Sequence, residues 1–366
     1  MIKVLFDHQK FSEQKYGGIS RVFAHLIGGI KTSSEFSLKL GVLYSDNYYI
    51  KDEPQPFNNA IGRFLLKGKA KRAYKWNKLY SKYLIKKGDF DVFHPTYFHP
   101  YFLKYINKPY VLTVHDMIYE CLPDYFPLTD PLPRWKKETV QKAAGVIAIS
   151  ESTKRDLVEI LKVPVDKITV IYHGIDLDAP LDVEVVLGLP VKYLLFVGER
   201  GNYKNFFRFI NCCGQLAVDY PDLHFVFAGG GGFRVSDSDF INRLNLTDKC
   251  VQLNATDAQL NYLYQNAEFF VFPSLYEGFG LPLLEAFKAG CAVAASNTSS
   301  FPEIGGDAVC YFDPMDEQSM FKAFKLLLDK PEIKAGFIAK GTERVKAFSL
   351  QKQIDATLAL YKSVVG

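Results

Sequence analysis

Residues 272–286 read Phe-Pro-Ser-Leu-Tyr-Glu-Gly-Phe-Gly-Leu-Pro-Leu-Leu-Glu-Ala. The apolar run that ends at Pro273 predicts a buried strand, and Pro282 suits the first turn of a helix, where its missing N–H group leaves no hydrogen bond unmade. The glycines between them allow a ligand to approach the backbone closely. A strand, a glycine-rich loop and a helix amino end in this order predict an anion-binding site, because the first N–H groups of a helix have no partner within it.

Short apolar runs alternate with helical stretches along the rest of the chain. The predicted strands are residues 4–7, 38–44, 92–94, 110–115, 145–149, 168–172, 193–197, 224–228, 250–253, 269–272 and 292–295. Nearly continuous hydrophobic strands separated by helices indicate parallel sheets that are covered on both faces. The predicted fold class is therefore α/β, with two doubly wound, Rossmann-like parallel-sheet domains that face a central cleft and bind ligand at the carboxyl ends of their strands.

Length and local composition predict where these domains divide. A chain of 366 residues suggests two domains of roughly 150 residues each. The stretch from Gly174 to Pro190 has no clear hydrophobic period and precedes a new set of strands, so we place the hinge there. We expect an N-terminal domain over residues 1–180, a C-terminal domain over 190–349 and a terminal helix over 350–366. One possible arrangement packs this helix against the N-terminal domain.

Cysteine spacing and hydropathy exclude several classes of protein. The six cysteines include no Cys-x-x-Cys pair, so neither a zinc cage nor a secreted disulfide framework is indicated. Charge interrupts the first residues too soon for a signal peptide, and no apolar run reaches the roughly 18 residues that span a bilayer. These features predict a cytoplasmic protein.

Positive charge is concentrated in residues 62–88, which hold eight lysines, two arginines and no acid. The whole chain has a net charge of only +4, and aromatic residues and leucines lie between the charges of this segment. Two interpretations stay open. The segment is either a basic amphipathic helix on an anionic membrane surface, at the inner face of the membrane, or a helix whose apolar stripe packs against its own domain. Nucleic acid ranks last because no base-reading motif accompanies the segment.

Two carboxylates, Glu277 and Glu285, flank the glycine-rich loop. Carboxylates suit sugar hydroxyls because a charged acceptor forms a stronger hydrogen bond than a neutral one. For Glu285 the alternative is a carboxylate near a helix start that the helix dipole stabilises.

Two cations, Arg200 and Lys204, follow the predicted strand 193–197. The planar fork of arginine and the mobile charge of lysine suit a diphosphate, and both stabilise the negative charge that grows on a diphosphate as it leaves. The alternative is a solvated loop without a ligand.

The N-terminal domain offers two weaker candidates. Gly17-Gly18 precedes a predicted helix over residues 20–31 but lacks the Gly-x-Gly-x-x-Gly spacing of dinucleotide-binding enzymes, which counts against an NAD dehydrogenase. His115 closes the predicted strand 110–115 and is expected to reach the cleft, whereas a hydrogen-bonded structural histidine is the alternative. Ser150 is predicted to cap a helix over residues 151–161.

Together these motifs resemble glycosyltransferase family 4, whose members have the GT-B fold. The resemblance rests on Val-Gly-x-Arg with Lys-Asn after it at residues 197–205, and on Glu-Gly-Phe-Gly-Leu-Pro at 277–282 with Glu285 beyond it. It extends over nearly the whole chain, because Val-His-Asp at 114–116, Ala-Ile-Ser-Glu-Ser at 148–152 and His-Gly-Ile-Asp at 173–176 follow the order of the family.

The resemblance implies roles for individual residues. Arg200 and Lys204 bind the donor diphosphate, Glu285 binds the ribose, and Glu277 lies near the hydroxyls of the donor sugar. The implied donor-binding set also includes Gly17, Gly18, Gly278, Phe279, Gly280 and Leu281, and the implied catalytic set is His115, Glu277, Arg200 and Lys204. His115 is expected to contact the donor sugar. The acid pairs Asp176/Asp178 and Asp237/Asp239 are interpreted as loop residues, because this fold generally needs no divalent metal.

The implied function is the retaining transfer of a hexose, of the mannose or the glucose and N-acetylglucosamine type, from a GDP- or UDP-sugar donor. The implied acceptor is a glycan or lipid-linked glycan in cell-surface polysaccharide or lipopolysaccharide synthesis, and no metal or other cofactor is expected. Residues 113–120 and 123–126 favour a mannosyl donor. The alternatives are a nucleotide-sugar epimerase or phosphorylase of the same fold, and a non-catalytic carbohydrate or membrane adaptor.

Overall fold

The structure is a computed structural model that describes residues 1–366 apart from the side chain of Asn202. The chain forms two compact units. The first contains Met1–Gly174 and Leu350–Gly366, and the second contains Ile175–Ser349. The two units therefore divide at the start of the aperiodic stretch 174–190 and again where the terminal helix begins.

The first unit alternates strands and helices, as continuous apolar runs between amphipathic segments require. Its elements are β1 (Ile2–Phe6), α1 (Gln9–Glu13), α2 (Gly18–Thr32), β2 (Phe36–Leu40), α3 (Ala60–Leu66), α4 (Ala70–Lys87), β3 (Val92–His94), β4 (Val111–Val114), α5 (Ile118–Cys121), α6 (Leu132–Lys142), β5 (Gly145–Ala148), α7 (Glu151–Glu159) and β6 (Ile168–Val170). In α2 the buried residues Val22, Leu26 and Ile30 recur every four positions, which gives the helix one apolar face for the sheet.

The strands of the first unit form two three-stranded parallel sheets, in the orders β2-β1-β3 and β4-β5-β6. An isolated bridge between Phe93 and Tyr110 connects the edges of β3 and β4. The predicted strand 38–44 begins too late and runs too far: Phe36 is buried and pairs with Ile2, and the N–H group of Gly41 already donates to the carbonyl oxygen of Phe6. Pairing with β1 sets this register, and the residues of β2 alone do not reveal it.

The second unit contains one six-stranded parallel sheet with helices between its strands. Its elements are β7 (Tyr193–Val197), α8 (Phe206–Asp219), β8 (His224–Ala228), α9 (Val235–Arg243), β9 (Cys250–Leu253), α10 (Asp257–Asn266), β10 (Phe269–Phe272), α11 (Leu281–Lys288), β11 (Val293–Ser296), α12 (Phe301–Gly305), β12 (Cys310–Phe312), α13 (Glu317–Asp329) and α14 (Pro331–Arg344). Strand β12 is absent from the sequence prediction.

The strand order of this sheet is β12-β11-β10-β7-β8-β9. Strands β8 and β9 lie on one side of β7. The next strand along the chain, β10, pairs with the opposite side of β7. The order therefore reverses between β7 and β10. In an open α/β sheet such a reversal separates the loops that follow the two strands and leaves a crevice at their carboxyl ends.

The chain ends in helix α15 (Leu350–Val365), which belongs to the first unit. Tyr361 is fully buried there, and its hydroxyl lies 2.6 Å from Nδ1 of His94. A Cβ atom added to Gly29 would lie 2.5 Å from Cγ2 of Ile354, so α2 needs glycine at this crossing. Among the described residues no helix is long and apolar enough to cross a membrane.

Phenylalanine side chains fill the core of the second unit. The ring of Phe209 is fully buried, and its centroid lies 6.0 Å from the ring centroids of both Phe227 and Phe324. These contacts join α8 to the sheet and to α13. One aromatic residue thus connects three elements of the core.

We expect Phe209→Ala to lower the free energy of unfolding of the second unit by about 3–5 kcal/mol, because it removes buried area and leaves a cavity between packed rings. Chemical denaturation followed by circular dichroism measures the change. Val218→Ala on the same helix is the control, since Val218 is exposed and its loss is expected to cost less than about 0.5 kcal/mol. Equal effects of the two substitutions would contradict this account of the core.

Candidate functional site

The carboxyl ends of β7 and β10 carry the two segments that the sequence singles out, residues 198–205 and 273–281. The strands are neighbours, with Phe269 opposite Leu194 and Val271 opposite Phe196. The loops after them are joined directly, because the N–H group of Leu275 donates to the carbonyl oxygen of Tyr203 at 2.8 Å. The predicted site residues of the second unit therefore meet at the point where the strand order reverses.

Lys204 and Glu277 form an ion pair at this point. The distance from Lys204 Nζ to Glu277 Oε1 is 2.6 Å, and the two side chains are only 17% and 13% exposed. Burial by itself lowers the pKa of Lys204, but the Glu277 carboxylate raises it, and the net pKa lies above the ordinary lysine value. Lys204 is therefore a fixed, partly desolvated positive charge at neutral pH, which acts more strongly on an anion than an exposed lysine does.

Hydroxyl groups from the segment after β11 hold the glycine-rich loop in place. Ser299 Oγ accepts from the N–H group of Glu277 at 3.0 Å. Ser300 Oγ donates to the carbonyl oxygens of Glu277 and Phe279 at 2.9 and 3.0 Å, and Thr298 Oγ1 donates to that of Leu275 at 3.1 Å. The sequence analysis missed these three residues. The only signal was a Thr-Ser-Ser run after a predicted strand, which is equally typical of an ordinary turn.

Gly280 is required at the amino end of α11. Its φ of +100° lies in the left-handed region, and an added Cβ would lie 3.3 Å from Leu283 and 3.4 Å from Phe301. Pro282 occupies the first turn of the helix as predicted. Glu285 is half-buried in the next turn, so the helix start and a carboxylate lie on one short segment, as the sequence suggested.

The side chains of Phe279 and Leu281 are not fully exposed to a ligand. The Phe279 ring is buried and packs edge-to-face against Phe348, with centroids 5.9 Å apart. The ring is therefore part of the packing and does not form a ligand-facing surface. Leu281 begins α11 and is half-buried, and Gly278 is buried within the loop.

Arg200 makes different contacts from those that the resemblance implies. Only 3% of the residue is exposed. Its Nη2 atom donates to the carbonyl oxygens of three consecutive glycines, 230–232, at 3.2, 2.7 and 2.7 Å. Its Nη1 atom donates to the carbonyl oxygen of Gly229 at 3.0 Å. Nε donates to Asp237 Oδ2 at 3.3 Å, and the guanidinium carbon lies 5.0 Å from the Phe233 ring centroid.

The interpretation of the Arg200 segment as a solvated loop is therefore wrong, because the guanidinium is buried and holds the glycine turn 229–232. A role in diphosphate binding stays a prediction. To bind phosphate, Arg200 must release at least one of its carbonyl partners. Lys204 can bind phosphate while it keeps its bond to Glu277.

The interpretation of Asp237 and Asp239 as loop residues is also wrong, since both lie in α9. Asp237 is fully buried and accepts hydrogen bonds from Arg200 and from the backbone and side chain of Arg234. Burial raises the pKa of Asp237, but the bonds from Arg234 outweigh this effect and lower it below the ordinary value. The carboxylate is thus a structural anchor for the glycine turn.

In the first unit, Gly17 and Gly18 form the start of α2. Gly17 is the N-cap residue of α2, and its carbonyl oxygen accepts a hydrogen bond from Ser20 Oγ at 3.0 Å. A Cβ atom on Gly17 would lie 2.5 Å from the side chain of Gln14. The predicted glycine turn therefore exists at a helix amino end, where an anion is favoured.

His115 follows β4 at the carboxyl edge of its sheet. It is 8% exposed, its ring is stacked 5.8 Å from that of His173, and the edge of Phe23 packs against it at 6.0 Å. Burial, aided by the nearby positive charges of Lys10 and Lys136, lowers the pKa of His115 to about 3. Among the described residues nothing bonds to its buried Nε2 atom, so this neutral imidazole has one nitrogen whose hydrogen bond is unmade.

Sequence reasoning also missed Lys136, a fully buried cation of α6. Its Nζ donates to the carbonyl oxygen of Asp116 at 2.9 Å and to Glu120 Oε2 at 2.7 Å. The lysine therefore fixes the residue that follows His115. No sequence signal distinguishes it from the neighbouring Lys137, which is exposed.

Comparison with known proteins assigns both units. The family described as Glycosyltransferase Family 4 matches residues 43–179, and the family described as Glycosyl transferases group 1 matches residues 185–344. The two matches lie side by side and together include most of the chain. The chain is a glycosyltransferase of family 4. Its enzyme class is thereby fixed as a transferase.

Curated relatives of this family 4 glycosyltransferase include O-antigen chain mannosyltransferase B of Escherichia coli, which is 27% identical over 69% of this chain and 70% of the relative. Phosphatidyl-myo-inositol mannosyltransferase of Mycolicibacterium smegmatis is 26% identical over 86% of this chain and 80% of the relative. The N-acetylgalactosamine-N,N'-diacetylbacillosaminyl-diphospho-undecaprenol 4-alpha-N-acetylgalactosaminyltransferase of Campylobacter jejuni is 28% identical over 58% of each protein.

Solved structures show the same GT-B fold at low sequence identity. Sucrose-phosphate synthase from Thermosynechococcus elongatus has a TM-score of 0.74 and 18% identity, and the match covers 100% of this chain and 99% of that one. Anabaena Alr3699/HepE in complex with UDP-glucose has a TM-score of 0.72 and 17% identity, over 98% of this chain and 100% of that one. The glycosyltransferase therefore consists of two Rossmann-like domains, as its sequence predicted.

We expect Arg200→Ala in this glycosyltransferase to lower the free energy of unfolding by about 3 kcal/mol, because it leaves buried carbonyl groups and part of a buried carboxylate without a donor. Denaturant titration measures the loss. The control is Arg243→Ala, an exposed arginine of α9 whose removal is expected to cost less than about 0.5 kcal/mol. If Arg200→Ala kept full stability and lost only donor binding, the guanidinium would serve the ligand rather than the glycine turn.

Proposed function

We propose that this glycosyltransferase transfers a hexose from a nucleotide diphosphate sugar that binds the second unit at the carboxyl ends of β7 and β10. The partly buried Lys204–Glu277 pair carries the proposal. It places a cation and a carboxylate 2.6 Å apart, beside the amino end of α11. The cation can bind a diphosphate, and the carboxylate can accept hydrogen bonds from sugar hydroxyls.

Lys204 acts on the leaving group. As the bond between the sugar and the diphosphate breaks, negative charge grows on the phosphate oxygens, and a cation already in place stabilises it without reorganisation. The N–H groups at the start of α11 add partial positive charge, and Gly280 lets the phosphate approach the backbone. Because Lys204 supplies positive charge at this point, the proposed reaction includes no metal ion or other cofactor.

Glu277 and His115 act on hydroxyl groups. The second oxygen of the Glu277 carboxylate remains able to accept a hydrogen bond while the first binds Lys204. His115 is neutral, and we propose that its buried Nε2 bonds to a hydroxyl of the donor sugar. We further propose that Glu285 accepts from the ribose and that the transfer retains the anomeric configuration, as the resemblance to family 4 implies.

We propose mannose as the transferred sugar and GDP-mannose as the first donor to test. Two of the three curated relatives described above are named as mannosyltransferases. The resemblance of residues 113–120 and 123–126 to polysaccharide-assembly members of the family favours the same donor. A UDP-hexose is the second candidate, because the structure of HepE holds UDP-glucose.

The acceptor that we propose is a lipid-linked glycan of cell-surface polysaccharide or lipopolysaccharide synthesis, reached at an anionic membrane surface. Helices α3 and α4 support this proposal. Ile61, Phe64, Leu79 and Tyr83 are exposed there, Phe64 by 81%, and lysines lie between them. Part of the apolar stripe packs inward, since Leu84 and Ile85 are buried, as the second interpretation of this segment predicts. The membrane surface that we propose uses the exposed residues.

We expect thermal-shift measurements to show a higher melting temperature with GDP-mannose than with UDP-glucose or UDP-N-acetylglucosamine, because tight binding to the native state stabilises it. Lys204→Ala is expected to remove the shift and to lower sugar transfer by about 100-fold or more, whereas Lys192→Ala, an exposed lysine just before β7, leaves both unchanged. Wild-type transfer by both Lys204→Ala and Glu277→Ala would refute the assignment. Conversion of the donor sugar without an acceptor would instead identify an epimerase.

Vesicle flotation tests the membrane surface. We expect the protein to float with phosphatidylglycerol-containing vesicles at low salt, and to float less as salt screens its lysines. The double variant Phe64→Ser/Leu79→Ser is expected to reduce flotation severalfold. The control is Leu187→Ser/Val218→Ser, which alters two exposed apolar residues of the second unit. Equal flotation of both variants would refute this surface.

A further inference from the structure

A surface cavity of about 360 Å³ lies in the first unit, and its lining includes none of the residues to which the preceding sections give a role in donor binding. The loop after α1, the loop after β2 and helix α3 line it. The residues that matter for its chemistry are Lys15, Tyr16, Tyr48, Lys51, Arg63 and Lys67.

The charge of this cavity is strongly positive. Its rim carries four cations, and Asp46 is the only acid in its lining. Asp46 accepts a hydrogen bond from the Tyr44 hydroxyl at 2.7 Å, which directs its carboxylate to the cavity wall. Within the fully described part of the chain, no carboxylate lies within salt-bridge distance of the four cations. Unpaired like charges repel one another, so this rim favours an anionic ligand.

Two tyrosines stand exposed at the mouth of the cavity. Tyr16 is 60% and Tyr48 is 48% exposed, and their ring centroids lie 5.3 Å apart at 32°. The Nζ atom of Lys51 lies 4.6 Å from the Tyr48 centroid. Aromatic rings offer a flat apolar face with a polar edge. Beside four cations, such faces fit a ligand that joins a negatively charged group to a ring.

The floor of the cavity is held rigidly. Asn47 is 1% exposed, its Nδ2 donates to the carbonyl oxygen of Gln14 at 2.7 Å, and its Oδ1 accepts from the N–H group of Tyr49 at 3.0 Å. Ser45 Oγ accepts from the Asn47 N–H group at 3.0 Å. A floor held by these hydrogen bonds is preorganised for binding, because less order has to be imposed when the ligand arrives.

The position of the cavity relates it to the reaction. Tyr16 immediately precedes the Gly17-Gly18 turn at the start of α2, and Arg63 immediately precedes Phe64, the most exposed of the apolar residues on α3. The cavity therefore lies between the glycine turn and the surface that we propose for the membrane.

We propose that this cavity binds the diphosphate that links an acceptor glycan to its lipid, with the first sugar against Tyr16 and Tyr48. The proposal rests on the proposed function, since it names a part of its acceptor. A diphosphate matches the rim in charge, and the attached sugar matches the tyrosines. A neutral glycan would leave the four cations without a partner.

Calorimetric titration of inorganic pyrophosphate into the Lys204→Ala variant tests the cavity, because this background removes the cation proposed for the donor diphosphate. We expect Lys51→Gln/Lys67→Gln to weaken pyrophosphate binding about tenfold, as the loss of two charged contacts predicts. Lys71→Gln/Lys75→Gln is the matched control: it removes the same charge from exposed positions of α4 outside the cavity, and we expect less than a twofold change.

Equal weakening by the two double variants would overturn the proposal, because it would show a diffuse electrostatic effect. Absence of pyrophosphate binding to the Lys204→Ala background would overturn it as well. A second arm adds vesicles to the bound complex. Displacement of pyrophosphate by phosphatidylglycerol vesicles, but not by phosphatidylcholine vesicles, would assign the cavity to bulk lipid headgroups and overturn the diphosphate. Retention of pyrophosphate in both cases supports it.

The cavity and the proposed function fail in different measurements. Lys51→Gln/Lys67→Gln in the otherwise unchanged chain is expected to keep its thermal shift with nucleotide sugars, because neither lysine belongs to the donor site. If no nucleotide sugar binds any form of the protein, the proposed function fails whatever the pyrophosphate titration shows. If donors bind and pyrophosphate does not, only the cavity proposal fails.

Discussion

The ion pair between Lys204 and Glu277 depends on the reversal of strand order in the second unit. The two residues are 73 positions apart in the chain, and they meet because β7 and β10 are neighbours although two strands and three helices separate them in sequence. Neither charge is fully solvated, so each needs the other. Donor binding as we propose it uses this arrangement, because a partly buried cation held by one carboxylate is available to an incoming diphosphate.

Arg200 and Lys204 illustrate how two similar side chains acquire different environments. They follow the same strand and both suit phosphate, yet the guanidinium of Arg200 is covered by four glycine carbonyl groups and Asp237. Arginine suits this position because its planar fork can satisfy several fixed acceptors at once. The glycine turn 229–232 allows the match, since Gly229, Gly230 and Gly231 have positive φ angles. The result is a rigid wall beside the proposed donor site, built on an arginine.

The buried histidines of the first unit are neutral, whereas its basic segment lies at the surface. His94 and His115 are buried with pKa values lowered to about 3, so neither carries a charge at physiological pH. The cations of residues 62–88 lie mostly at the surface, next to exposed apolar side chains. This separation suits an enzyme that handles a neutral sugar near its strands and meets an anionic acceptor at its rim. Because the rest of the chain carries a net negative charge, the small net charge of +4 conceals this strongly basic segment.

The sequence by itself determined the elements of the fold and the identity of the site segments. Strands such as 193–197 and 269–272 are continuous apolar runs, and glycine and proline mark the loop and helix start at 278–282, because these signals are local. Tertiary structure alone decided the remainder. Strand β12, the buried Lys136, the serine supports of the glycine-rich loop and the enclosure of Arg200 all depend on which distant segments pack together. Residue spacing along one segment carries no information about partners that lie tens of residues away. Burial by such partners encloses the guanidinium of Arg200, whereas the similar cation Lys204 forms an ion pair with Glu277.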